Sequence, residues 1–375
     1  MLFLRVFWLA GKMSDHNSFS SGVLTASVMT HPLRATRAES LCSELGPEHA
    51  WAAVDPHPQG PPSALRSARV AFAQAAREKE GHHLVLQDDV ILSSGFVDAV
   101  QDAVTEFPES ALSFFVEWGS RTAYLARWAA FTGVDAVSVI NPYMPTPAMV
   151  LPRRIAVELA RFLELQGRAN EPDDREVLRF LRGAGIPTLV MVPNVVEHDD
   201  LPSITGNSDH GPRRSVCVTQ RPRYGGHVLR TPRSLPFLRW NLASSVIIDL
   251  DHDVPEAHRP TRQVLLEWGA GERDLYGAFV DSDLALLLGT DREPAFEAWL
   301  TAVGVGAVQE KHWPGTVAGL RGRQHEVSVR RALESFVPGM LRTVADPARM
   351  AVHSSELAMV ALAAMEYGAT HLEAR

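Results

Sequence analysis

Apolar and polar positions follow two alternating periods from residue 22 onward. Short apolar runs at 23–29, 50–54 and 84–92 have the length and aliphatic content of strands. Between them, a helix through Cys42 and Leu45 follows the loop 31–37, and residues 63–80 carry apolar side chains at helical spacing. Strand, helix, strand, helix, strand at these spacings predicts an α/β unit with a parallel sheet. The pattern continues with a helix over 95–107, strands at 114–118, 136–140 and 148–151, helices over 155–165 and 172–183, and a strand at 188–192. Ligands of such sheets collect at the carboxyl ends of the strands.

Residues 210–236 break the pattern: they are dense in Arg, Pro and Gly and offer little to bury. The remainder opens on an apolar run at 245–251 and closes on an Ala- and Met-rich helix over 354–367. The expected organisation is therefore an N-terminal extension over 1–21, an α/β domain over 22–210, a linker or lid over 211–236, and a smaller α/β module of unassigned role over 237–375. That module is expected to complete an acceptor site or to mediate association, so an oligomer is open.

A chain of 375 residues suits two domains, and 46% hydrophobic with 21% charged residues describes an ordinary globular protein. A net charge of −8 argues against a nucleic-acid surface, which rewards clustered Lys and Arg. The two cysteines, Cys42 and Cys217, have no metal-ligand spacing and fit a reducing compartment, so a cytoplasmic location without a zinc site is expected. Residues 1–12 are apolar but too short to span a bilayer, and they lack the basic start and cleavage site of a signal peptide. No later segment reads as a membrane span.

The most informative stretch is Leu84-Val85-Leu86-Gln87-Asp88-Asp89-Val90-Ile91-Leu92. A strand-like run ends on two adjacent carboxylates and then resumes, which places two charges at the tip of a buried element. Such charges require a counter-charge: a divalent cation, a nearby Arg, or a ligand carrying a metal-bound diphosphate. A capped turn or an ion pair is the simpler alternative for any Asp pair at a strand end.

Four segments in order carry a resemblance: Val54-Asp55-Pro56, then Pro61-Pro62-Ser63-Ala64-Leu65-Arg66-Ser67-Ala68-Arg69, then Gln87-Asp88-Asp89-Val90, then Pro193-Asn194-Val195-Val196-Glu197-His198. Together they resemble a glycosyltransferase of the GT-A fold, in the manner of the lipopolysaccharide and collagen-type enzymes, over roughly residues 22 to 210. The resemblance does not extend to the C-terminal part. It implies a GT-A-like (Rossmann-like) α/β domain with a mixed, mainly parallel sheet flanked by helices, and transfer of a sugar from a nucleoside-diphosphate-sugar donor to an unidentified acceptor, assisted by Mn²⁺ or Mg²⁺. Asp89 would be the principal metal ligand, with His198 completing the metal site or touching the diphosphate. Asp88 would hold the ribose or a metal-bound water. Arg34, Arg37 and Arg66 would face the donor's phosphates, and Asp55 the nucleoside. Asp173 and Asp174 fall where related enzymes keep the base that deprotonates the acceptor, although Asp173 equally suits a helix N-cap and Asp174 a first-turn charge. Glu117-Trp118-Gly119-Ser120 is a candidate acceptor wall. Gln87 departs from the family's acidic or apolar residue and leaves fewer charges for the ion.

Two other classes compete. A nucleotidyltransferase acting on a sugar phosphate also uses an α/β sheet with metal-binding Asp, but Thr30-His31-Pro32-Leu33-Arg34 lacks the glycine-rich loop that such an enzyme places after its first strand. A non-catalytic protein retaining the fold is the other alternative.

Overall fold

The computed structural model describes residues 24–77, 81–199, 201, 204, 210–252, 254 and 257–374. The expected extension over 1–21 and Asp200 lie outside the described residues. Among the described residues, nine strands form in the first half: β1 (Leu24–Thr30), β2 (Ala50–Val54), β3 (His82–Gln87), β4 (Val90–Leu92), β5 (Ala111–Ser113), β6 (Ala136–Ser138), β7 (Ala148–Pro152), β8 (Thr188–Met191) and β9 (Val196–His198). Seven of them make one sheet in the order β2-β1-β3-β7-β5-β8-β6, and β4 pairs with β9 beside it. β1, β2, β3, β5 and β8 share one direction, while β7 and β6 run against them. The architecture is thus a mixed, mostly parallel α/β sheet flanked by helices, compatible with a Rossmann-like arrangement.

The two-residue period of the strands sorts their side chains into two cores. Leu24, Ala26 and Val28 of β1, with Leu84 and Leu86 of β3, join the helices Ala35–Leu45 and Phe96–Glu106 on one face. Met29, Val85, Met149 and Leu151 join the helices Ala64–Ala73 and Arg153–Gln166 on the other. Every residue of β1 is buried, as expected of a strand covered on both sides. The apolar run expected as a strand at 114–118 is buried at Phe114, Phe115 and Val116, but the ladder lies just before it, in β5. Burial, not strand pairing, explains that run.

The second half is dominated by helix. β10 (Ser234–Arg239), β11 (Ser244–Asp249) and β12 (Arg259–Pro260) form an antiparallel sheet, and β10 begins inside the stretch expected to be linker. Before it, residues 215, 218 and 228 bridge to Glu117, Asn194 and Ala136. The helices Arg292–His312 and Ser354–His371 approach closely because Gly306 and Gly368 lack a Cβ: one added to Gly306 would collide with Met365 O, and one on Gly368 with Val303 O. The second-face core continues from the sheet into these helices without a break. The joint is the helix Arg121–Thr132, where Arg127 Nη2 donates to Ser335 O (2.8 Å) and Tyr124 Oη accepts from Leu238 N (3.2 Å). Among the described residues no helix is long and apolar enough to cross a membrane.

Candidate functional site

Asp88 and Asp89 form the turn between β3 and β4, at the carboxyl end of the sheet's buried strands. β4 then pairs antiparallel with β9 in the register Val90↔His198, which sets His198 beside the turn. The Asp199 amide donates to Asp89 O (2.7 Å) and locks this pairing. His198 is buried, with Nε2 3.5 Å from Asp89 Oδ2. Asp89 Oδ1 is shielded from solvent and accepts no hydrogen bond. Burial works to raise the Asp89 pKa, but the contact with His198 and the charges of His198, Arg213 and Arg34 outweigh it, and the group titrates below its ordinary value.

Asp88 is held from two sides. Thr30, the last residue of β1, donates its hydroxyl to Oδ2 (2.6 Å), and Arg34 Nη1 donates to Oδ1 (3.1 Å). The same Arg34 nitrogen lies 3.5 Å from Asp89 Oδ2, so one guanidinium spans both carboxylates. Arg37, expected to face the donor, does not line the cleft. Its Nε donates to the backbone oxygen of Asp88 (3.0 Å) and its Nη2 pairs with Asp199 (3.0 Å), so it braces the turn from behind.

Asp55, just past β2, is buried and gripped by Arg66 in a two-point fork of 2.8 and 2.7 Å. The fork is the main reason its carboxyl titrates below the ordinary range. Arg66 Nη1 also donates to Pro61 O (2.8 Å). Arg66 lines the cleft as expected, yet its fork is spent on shaping the 55–61 loop.

Thr30, Arg34, Asp55, Arg66, Asp88, Asp89 and His198 line one cleft of about 570 Å³. Glu117, Tyr143, Asp173, Asp174, Arg175, His210, Arg213, Trp240 and Arg342 line the same cleft. Asp173 and Asp174 open the helix Asp173–Gly183, whose N-cap is Pro172 and not Asp173, and the Asp174 carbonyl accepts from Met144 N (3.1 Å). A helix N-terminus ordinarily favours ionised carboxylates. Here burial prevails and raises both, and for Asp173 the neighbouring Asp174 charge adds to it. Asp174 Oδ1 is buried with no hydrogen-bond partner.

The second half was expected to complete an acceptor site or to mediate association, but sequence reasoning named none of its residues. Arg342, at the end of the helix Phe336–Leu341, pairs with Glu117 at 2.7 Å, donates to His210 O (2.8 Å), and lies 4.5 Å from the centre of the Trp240 ring. Gly119 permits this approach, since a Cβ there would meet Arg342 Nη1 and Gly339 O. Trp118, expected at the acceptor wall, does not line the cleft; its indole N–H donates to Pro212 O (2.9 Å). Trp240 stands at the cleft instead.

Among the described residues no three His, Cys, Asp or Glu side chains converge on one point. Asp89 and His198 offer two ligands for a divalent cation, a carboxylate and an imidazole, and the orphaned Asp89 Oδ1 fits that use. The rest of a coordination sphere would have to come from ligand and water. No family model matches the chain, and no curated protein matches it.

Proposed function

We propose that the protein is a GT-A-like glycosyltransferase that uses a nucleoside-diphosphate-sugar. One observation carries the reading: the Asp88–Asp89 turn with its cations and the basic Asp173–Asp174 pair line a single cleft at the carboxyl ends of the strands. That is where open α/β sheets bind ligands, and the cleft is large enough for a small-molecule substrate. Arg34 and Arg213 carry charge complementary to a diphosphate. Asp89 and His198 would hold the divalent cation, which when bound neutralises charge growing on the departing diphosphate.

In the same cleft, the raised Asp173–Asp174 pair has the basicity of a proton acceptor working near neutral pH. An acceptor hydroxyl oxygen forms a bond to the anomeric carbon, the bond from that carbon to the phosphate oxygen breaks, and its electron pair leaves with the nucleoside diphosphate. The hydroxyl proton passes to the carboxylate pair. Burial of Asp173 limits competition from water. The test is release of nucleoside diphosphate from a panel of UDP-, GDP-, CDP-, ADP- and dTDP-sugars with Mn²⁺. Release from one base class, lost in Asp89→Ala, supports the reading. No release from any, or turnover of nucleoside triphosphates with sugar phosphates instead, removes it.

A further inference from the structure

Between β6 and β7, six consecutive residues, 142–147, line the cleft. Pro142, Pro145 and Pro147 fix their own φ and lack an amide donor, so this strap holds its shape with few hydrogen bonds of its own. It is fastened at three places. Met144 N donates to Asp174 O (3.1 Å), Ser113 Oγ donates to Pro145 O (2.7 Å), and Gln87 N donates to Pro147 O (2.9 Å). The strap therefore runs from the Asp173–Asp174 pair to the residue just before the Asp88–Asp89 turn.

Gln87 meets the strap a second time. Its side-chain Nε2 donates to Thr146 Oγ1 (3.3 Å), and both residues line the cleft. Among the described residues no second hydrogen bond engages either side chain. That leaves the Gln87 carbonyl oxygen and the Thr146 hydroxyl hydrogen, an acceptor and a donor side by side and both uncharged. Sugar transfer puts the anomeric carbon between the diphosphate and the proton acceptor, so the sugar of a donor held at Asp89 extends toward Asp173 and Asp174. The Gln87–Thr146 pair stands on the wall that joins those two points. A sugar hydroxyl is itself donor and acceptor, and it meets this pair already held in place by the strap.

We propose, resting on the donor reading above, that Gln87 and Thr146 determine specificity for the donor's sugar: they hydrogen-bond one of its hydroxyls, and so contribute to affinity for the nucleoside-diphosphate-sugar but not for the nucleoside diphosphate alone. A site built to bond a hydroxyl rejects the analogue that lacks it, because its own polar groups are then left unpaired.

Calorimetric titration of the full-length protein with Mn²⁺ and matched ligands tests this without reference to turnover. The ligands are UDP, GDP, CDP, ADP and dTDP, with the hexose conjugates of each and their mono-deoxy forms. Gln87→Leu and Thr146→Val are expected to bind a hexose conjugate at least about fivefold more weakly than wild type, while the parent nucleoside diphosphate stays within about twofold. Thr146→Ser, which keeps the hydroxyl, should match wild type. One mono-deoxy conjugate should lose about the same factor against wild type and nothing further against Gln87→Leu. Variants that weaken conjugate and parent nucleotide alike, or neither, overturn the sugar-reading role and leave the donor reading standing. No binding of any conjugate by wild type overturns both.

Discussion

Replacing Arg342 by Met is expected to cost about 4 kcal/mol of stability, and the figure follows from the ion pair with Glu117. The two side chains are 3% and 12% exposed and their nearest charged atoms are 2.7 Å apart. Burial pushes Glu117 up and Arg342 down, each toward its neutral form, while their mutual attraction opposes both shifts. With charge centres about 4 Å apart, an effective dielectric of about 20 gives an attraction of about 4 kcal/mol. Removing one partner of a buried pair typically costs about 3–5 kcal/mol, because the remaining charge is stranded, so the two routes agree. An unfolding entropy of about 2.1 cal/mol/K per residue over 375 residues converts this to a fall in Tm of about 5 °C. The assay is calorimetric unfolding of Arg342→Met, Glu117→Gln and the double variant. Because the double variant strands no charge, it should recover at least about 2 kcal/mol relative to Arg342→Met. A single variant that melts within about 1 °C of wild type, or a double variant no more stable than Arg342→Met, would refute the reasoning.

Further outcomes follow from the structure. Asp89→Asn should lower nucleoside-diphosphate release at least about 100-fold, with a melting temperature close to wild type; near-wild-type release would remove Asp89 from the chemistry. Asn at 173 or 174 should cut transfer by about 10²–10⁴-fold at whichever residue takes the proton, and the rate of the wild type should climb with pH through a midpoint above the ordinary Asp range, because a raised carboxylate must ionise to act. The same raised values mean that stability from this pair is full at low pH and lost as pH rises through them, so Asp174→Asn should be relatively more stable at pH 8 than at pH 5; a pH-independent difference contradicts the burial argument. His83 is fully buried against Thr25 Oγ1 (2.8 Å) and Ser27 Oγ (3.0 Å), and burial lowers it to about 4 from 6.5. Its depressed value gives stability present above pH 6.5 and lost as pH falls toward 4, about 3 kcal/mol in all, and urea titrations of His83→Gln should show a flatter acid limb than wild type.

The strands of the first half were legible because they are short, apolar and covered on both faces, and β2 begins and ends at the residues expected of it. Their directions were less so: nothing in the apolar run of β7 records that it opposes its neighbours, since direction is fixed by how the chain crosses the sheet. The helix Arg121–Thr132 carried no periodic signal because residues 122–131 are all buried and leave no polar face. β9 is three residues long, too short for a pattern, yet its register with β4 is what brings His198 to Asp89. The candidate site was readable where its residues sit at strand ends, as Asp55, Asp88 and Asp89 do. Trp240, Arg213 and Arg342 were not, because they reach the cleft through tertiary packing far from the motifs in the chain, and the only local trace is the glycine at 119 that makes room for Arg342.

The claim that the Asp88–Asp89 cleft receives a nucleoside-diphosphate-sugar is tested most directly by calorimetric titration of the wild-type protein and Asp89→Asn with nucleoside-diphosphate-sugars in the presence of Mn²⁺. The account predicts saturable binding of one base class by the wild type that is lost or weakened at least about tenfold in the variant. No binding of any donor, or equal binding by both proteins, would contradict it.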